Sequence, residues 1–402
     1  MATIPRPSGR LAAIQRDVLD VAAALRYEGF SKHDALNAPW LERLAGESRV
    51  GRLVAIQAVM RCPIHVRPLL GVRTARNAKG MALFARALLA RVRLLDEARS
   101  AEEAGAILDW LLHNSAPGFP SPCWGYPYPW QDVGFFAPRH YPNRVVTSFV
   151  VQALLDGYET LGRAGDLEAA RRSVEFLLDA PRTLYQDATH RAVSYVPSEA
   201  VSWNVLDISA LTGAAAARVA ALCNDATMMR EAGRLVRYVV SKQTPYGAWY
   251  YTEPPSASRI THDNYHTGFI LDSVLEYSRL AESAEFEDAY RRGLRFYRER
   301  LFDPDGAPRF RYDRRYPFDI HGAAQGTITF ALASSRMGDA AQADMSRRIL
   351  DWAVRRMYDT RSHWFDYQHG RVLRTRIREL RWCQAWMAWA IGCHLEHCGD
   401  EP

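Results

Sequence analysis

Five polar or aromatic clusters recur along this chain at a nearly constant interval, and each opens a helix-length stretch of small and apolar residues. They are Asn143-Arg144, Trp203-Asn204, Asn264-Tyr265-His266, Ile320-His321 and Trp382-Cys383-Gln384. From Asn143 the steps to Asn204, Tyr265, His321 and Cys383 are 61, 61, 56 and 62 residues. A fixed period of this size signals one supersecondary unit used repeatedly. Two helices of about 15 residues joined by two short loops fill it.

The helix after each cluster is apolar around most of its circumference, as in VLDISALTGAAAARVAALC and GAAQGTITFALASS, and belongs inside. The alternating partners, such as MMREAGRLVRYVVSK and FEDAYRRGLRFYRERLF, carry charge on one face and belong outside. The sequence therefore predicts an all-α double ring of five or six helix pairs. The connecting segments TLYQDATHRAVSY, KQTPYGAWYY, LFDPDGAPRFRY and MYDTRSHWFDYQHGRV each join turn residues to an aromatic strand-like piece. They predict short β-hairpins on one rim. A length of 402 residues would ordinarily suggest two or three domains, but stacked repeats share one core. We expect one structural domain, with residues 101–402 forming the ring and residues 1–100 an irregular helical part packed on it. Helices at roughly 10–26, 49–61, 79–96 and 101–114 would supply a sixth unit or a cap.

This pattern resembles the α/α toroid superfamily, which includes many glycoside hydrolases, uronic-acid polysaccharide lyases, sugar epimerases and terpenoid cyclases. The resemblance covers about residues 100–395 and is architectural. The segments CWGYPYPWQ, DNYHTGFILDSVLEY and DIHGAAQ are also similar to uncharacterised toroid proteins encoded among bacterial surface-polysaccharide genes. Such a fold hosts unrelated chemistries, so function must be sought in the site.

All inner helices of a toroid begin at one rim, which brings distant clusters to one cavity and points their partial positive charge at it. The richest cluster is Asp263-Asn264-Tyr265-His266. Asp263 suffices as a helix cap, but a tyrosine, an amide and a histidine beside it exceed what capping needs. The cluster also resembles the Asn/His pairs of toroid polysaccharide lyases, which implies neutralisation of a uronate carboxylate and handling of the C5 proton. Asp319 and His321 open the next unit, with Gln325 one turn on; here a cap and a core histidine are an equally good reading. The candidate catalytic residues are thus His266, His321, Tyr265, Asp263 and Asp319. The loop from Trp124 to Asp132 packs Trp124, Tyr126 and Trp130 beside Gln131, suited either to sugar rings or to plugging the ring. With Arg144, Trp203, Asn204, Asn264, Gln325, Trp382 and Gln384 these form the candidate substrate-binding set.

Forty-eight of the 51 basic residues are arginine, and the net charge is +6. An arginine-rich solvated surface accounts for this, while the sharper reading is an anionic ligand held by guanidinium forks. No basic run marks a nucleic-acid site, and no uninterrupted apolar run of membrane-spanning length occurs. Six scattered cysteines suggest neither a disulfide framework nor zinc. No phosphate-loop, dinucleotide, GxSxG or HExxH motif is present. The sequence calls for no organic cofactor, leaves a divalent metal and the oligomeric state open, and without an export signal suggests the cytoplasm. The leading expectation is an enzyme acting on an acidic, uronic-acid-containing oligosaccharide or polysaccharide by C5-epimerase or lyase proton abstraction. The alternatives are a glycoside hydrolase with paired aspartates, drawn from Asp263, Asp319, Asp207 and Asp132, and a non-catalytic glycan-binding protein.

Overall fold

The computed structural model describes residues 9–180 and 182–399. Its helices are α1 (Arg10–Ala24), α2 (Pro39–Ala45), α3 (Arg49–Arg61), α4 (Ala78–Leu95), α5 (Ala98–His113), α6 (Arg144–Leu161) and α7 (Ala164–Asp179). They continue as α8 (Leu206–Cys223), α9 (Ala226–Ser241), α10 (Asn264–Leu280), α11 (Glu287–Leu301), α12 (Ile320–Met337), α13 (Ala340–Met357) and α14 (Trp386–Cys398). A π-turn, Leu380–Ala385, leads into α14.

Helices α4, α6, α8, α10, α12 and α14 pack each against the next, and α14 returns to α4, which closes an inner ring of six. Outside it, α5, α7, α9, α11 and α13 each pair with the inner helix before them, and α1 packs on α14 as the sixth outer helix. This is an (α/α)6 toroid. The stretch 1–100, read from sequence as an irregular helical part supplying a sixth unit or a cap, thus gives α4 to the inner ring and α1 to the outer. Between these two, α2, α3 and the chain around them roof one rim.

Local sequence explains the register. Asn77, Asn143, Asp263 and Asp319 are N-caps whose side chains accept backbone N–H bonds from the first turns of α4, α6, α10 and α12. The outer helices α9 and α11 bury one stripe and leave their arginines and glutamates in solvent. Inner helix α8 is buried nearly all round, and although long and apolar enough to cross a membrane, its window is 72% buried in the ring. Gly213 and Gly326 let the layers approach, since a Cβ there would lie 2.8 Å from Val236 and 2.3 Å from Phe302.

Short strands gather at the rim where the inner helices start. β1 (Trp130–Gln131) pairs with β2 (Phe136–Ala137), and β3 (Thr183–Gln186) with β4 (Arg191–Val193). β5 (Phe318–Asp319), β8 (Gln368–His369) and β9 (Arg374–Thr375) form a three-stranded sheet. β6 (Tyr358–Asp359) pairs with β7 (Trp364–Phe365). The hairpins expected at KQTPYGAWYY and LFDPDGAPRFRY do not form: the first holds no strand, with only a bridge from Val205 to Thr252 just after it, and the second holds isolated bridges from Phe302 to Pro308 and from Arg311 to Asp263 and Arg314.

Candidate active site

The caps that start α10 and α12 also aim their histidines. Asp263 Oδ1 accepts the His266 backbone N–H at 3.0 Å, and its Oδ2 lies 2.6 Å from His266 Nδ1. Burial alone would strip the proton from this imidazole, but Asp263 and Asp207 outweigh it and push the His266 pKa up. The Tyr265 ring lies 4.4 Å from that of His266 and stacks on His321 at 4.6 Å, with planes 6° apart. His321 also meets Trp382 edge-on at 4.4 Å and Trp386 at 4.3 Å. Neither of its ring nitrogens has a hydrogen-bond partner. Burial, then Lys79, Lys32 and Arg381, hold its pKa well below the usual histidine value. Two histidines of opposite displacement therefore flank one tyrosine.

Three basic side chains surround His321 in this chamber, which is tightly packed: the pockets beside His266 and beside Arg381 measure only about 10 Å³ each. The chain has only three lysines, and two of them, Lys32 and Lys79, are buried here. Lys79 Nζ rests 4.0 Å from the Phe149 ring centre and 5.1 Å from that of Trp386. Lys32 Nζ lies 3.7 Å from the Trp382 ring. Arg381 sits 5.5 Å from the Tyr126 ring with its Nε unpartnered. Among the described residues none of the three makes an ion pair, and burial draws both lysine pKa values down. Unlike arginine, a buried lysine shifts its pKa readily. Lysine's scarcity was the available sequence signal for them.

The aromatic loop forms one wall. Tyr126 stacks on Tyr128 at 5.6 Å and meets Trp130 edge-on at 5.4 Å. Tyr251 covers His266 at 4.4 Å. Two carboxyls, Asp132 and Asp207, face the same space with pKa values raised by burial and opposed by His266. Tyr126, Asp132, Trp203, Asn204, Tyr251, Tyr265 and His266 remain partly exposed, so the rim is not sealed. Trp203 keeps an unpartnered indole N–H, whereas Asn204 donates to the Tyr238 hydroxyl at 2.8 Å.

Several expected ligand contacts are instead fold contacts. Trp124 is 1% exposed, and its indole donates to the Leu111 carbonyl. Arg144 is fully buried and donates to the carbonyls of Leu177, Ser194 and Ala180. Gln131 donates to Asp132 and Phe135 within its own hairpin. Asn264 donates to Leu301 and accepts from Tyr297, and Gln384 exchanges bonds with the Phe365 backbone. Asp319 accepts from His321 N–H, the Trp382 indole at 2.8 Å and Gln368 at 2.7 Å, so both its oxygens are engaged. His321 is 1% exposed, the burial of the core histidine that its place beside the cap also allowed.

Behind the chamber, Phe149, Phe269 and Trp386 form an aromatic floor. Its far side is a cavity of about 680 Å³ opening between the C-terminal ends of the inner helices. Gln325 belongs to that cavity and donates to Asp272 at 2.6 Å. Burial raises the Asp272 pKa to about 7, while the same upward pull of burial on Asp156 is overcome by Arg86 and Arg218, which hold it below the usual range. Among the described residues no group of three or more His, Cys, Asp or Glu is placed to hold a metal ion.

No known family profile and no curated protein matches the chain. Solved structures do. A cellobiose 2-epimerase from Bacillus thermoamylovorans is 10% identical with a TM-score of 0.61, over 79% of this chain and 87% of its own. A family 76 α-mannanase from Bacteroides thetaiotaomicron is 12% identical with a TM-score of 0.62, over 80% and 86%. A polysaccharide lyase is 12% identical with a TM-score of 0.57, over 94% and 96%. The shared property at this identity is architecture, and the chain has the α/α toroid fold of these carbohydrate-active enzymes.

Proposed function

We propose that the chain is a carbohydrate-active enzyme that moves the proton α to the carboxylate of a uronic-acid-containing glycan, by epimerase or lyase chemistry. The observation that carries this reading is the pairing of His266 and His321, displaced in opposite senses, beneath three unpaired buried cations. Groups whose surroundings push their pKa values apart are poised as acid and base. In this reading neutral His321 takes the C5 proton. The electron pair spreads into the carboxylate, whose growing charge meets Lys79, Lys32 and Arg381. Charged His266, or Tyr265, either returns a proton to the opposite face of C5 or protonates the C4 oxygen as the C4–O bond breaks and a C4–C5 double bond forms. The toroid fold shared with an epimerase and a polysaccharide lyase supports this reading.

The test is calorimetry of a glucuronate-terminated disaccharide against its neutral counterpart, in two buffers of different ionisation heat. A carboxylate held beside the buried lysines would raise their pKa values, so proton uptake on binding should be greater for the acidic disaccharide than for the neutral one. Equal affinity for both disaccharides, with no proton taken up, would remove the acidic-substrate reading.

A second reading has one observation in its favour. Asp272 and Asp156 are carboxyls of opposite displacement lining the 680 Å³ cavity, the arrangement a glycoside hydrolase needs. In that case Asp272→Asn would abolish turnover and His321→Ala would spare it. Asp263 and Asp319 do not serve as such a pair, since helix caps and side-chain donors already occupy both.

A further inference from the structure

The segment that roofs the chamber has an outer face as unusual as its inner one. Inward it presents Lys32 and His33 to Trp382 and Trp130. Outward, on α2, α3 and the turns after them, Trp40, Leu44, Val50, Val54, Ile64 and Leu69 are between 49% and 85% exposed. These are half of the twelve large hydrophobic side chains exposed among the described residues. The turn joining β8 to β9 adds Val372 and Leu373 at the same rim. The roof is tied to the chain that follows β9 by Arg67, which donates to Asp34 at 2.7 Å and to Glu379 at 3.0 Å, and by the bridge from Phe30 to Glu379.

Arginines punctuate this apolar surface. Arg43, Arg49, Arg61 and Arg73 are exposed on the roof, against only Glu42 and Glu47. Arg371, Arg374, Arg376 and Arg378 are exposed on and beside the turn, with no exposed acid among residues 371–378. Soluble monomers seldom leave so much contiguous apolar surface bare. Tryptophan and aliphatic side chains interleaved with arginine suit a lipid headgroup layer, where apolar groups enter the acyl boundary and guanidinium groups meet lipid phosphates. A second copy of the chain fits poorly, because a two-fold interface through this face would set arginine against arginine.

We propose that this roof docks the toroid on an anionic lipid bilayer, with α2, α3 and the β8–β9 turn in the headgroup layer and the chamber rim turned towards it. The inference is independent of the chemistry proposed above. It gives the rim a route to glycans carried on lipid.

The test is co-sedimentation of the full chain with phosphatidylglycerol-containing vesicles and with pure phosphatidylcholine vesicles, at low and at physiological salt. Each arginine at an anionic surface contributes about fivefold in affinity. Binding should therefore be at least tenfold tighter to the anionic vesicles and weaken as salt rises. Val50→Asp with Val54→Asp, and separately Val372→Asp with Leu373→Asp, should each weaken it at least tenfold. Unchanged melting curves for both pairs are expected, since these side chains lie in solvent. No pelleting above that of protein alone overturns the proposal, as does equal binding to both vesicle types. So would a concentration-dependent dimer that the valine pair dissolves, which would make the face a self-association surface. Capture of an acidic protein partner at this face without vesicle binding would count against it equally.

Discussion

His321 has no hydrogen-bond partner for either ring nitrogen, although it is buried among aromatic rings and cations. An orphaned buried imidazole costs stability unless something occupies the space beside it when the protein works. His266, by contrast, is held charged by Asp263. Its contribution to stability is present below a pH of about 6.5 and is lost as pH rises through its raised pKa. For His321 the sign reverses, and stability falls as pH drops below about 6.5. Activity needs the first charged and the second neutral, so it should form a plateau spanning a pH of about 6.5 in a rate profile. A single limb centred there would contradict the opposed pair. Arg144 illustrates the opposite lesson. From sequence, a polar side chain opening an inner helix looks the same whether it faces a ligand or ties down its neighbours. The structure commits Arg144 to three carbonyls, and Arg144→Ala should cost about 3 kcal/mol or more, read from a denaturant midpoint. A stable variant with slow turnover would return it to the site.

At the scale of elements, the register of α6, α10 and α12 was legible because Asn143, Asp263 and Asp319 cap them at a repeating interval. The start of α14 was legible only as a cluster, since a π-turn replaces the cap there. The two loops that failed to form hairpins carry the same turn chemistry as those that did, so local sequence could not separate them. Helix α10 carries a further consequence beyond its histidine. Asp272 keeps its proton up to a pH of about 7 in the folded chain but loses it near 4 when unfolded. Its contribution therefore declines as pH rises from about 4 to about 7. The melting temperature of Asp272→Asn relative to wild type should climb across that range and then level off. A constant difference would show that Asp272 ionises normally.

On the scale of the whole molecule, ring closure was the hardest feature to foresee, because α1 and α4 lie before the visible repeat. Gln15 on α1 donates to the Ala388 carbonyl on α14 at 3.0 Å, a contact spanning 373 residues. Val18 is fully buried, and Ile14 and Leu19 nearly so. Each such side chain is worth about 1.5–3 kcal/mol, and typical net stabilities are about 5–15 kcal/mol. Deleting α1 should therefore abolish cooperative melting, and a truncated chain that melts like the full one would refute closure by α1. The closed ring is what sets His266 and His321 around Tyr265 from separate repeats, and their joint action on one proton is the central claim. It is tested most directly by incubating the protein with glucuronate-containing oligosaccharides in deuterated water and following deuterium at C5. Wild type should either incorporate it or yield a product unsaturated between C4 and C5, and His321→Ala should do so at least about 100-fold more slowly while still melting cooperatively. New reducing ends with neither deuterium at C5 nor unsaturation between C4 and C5, formed equally well by His321→Ala, would contradict the account.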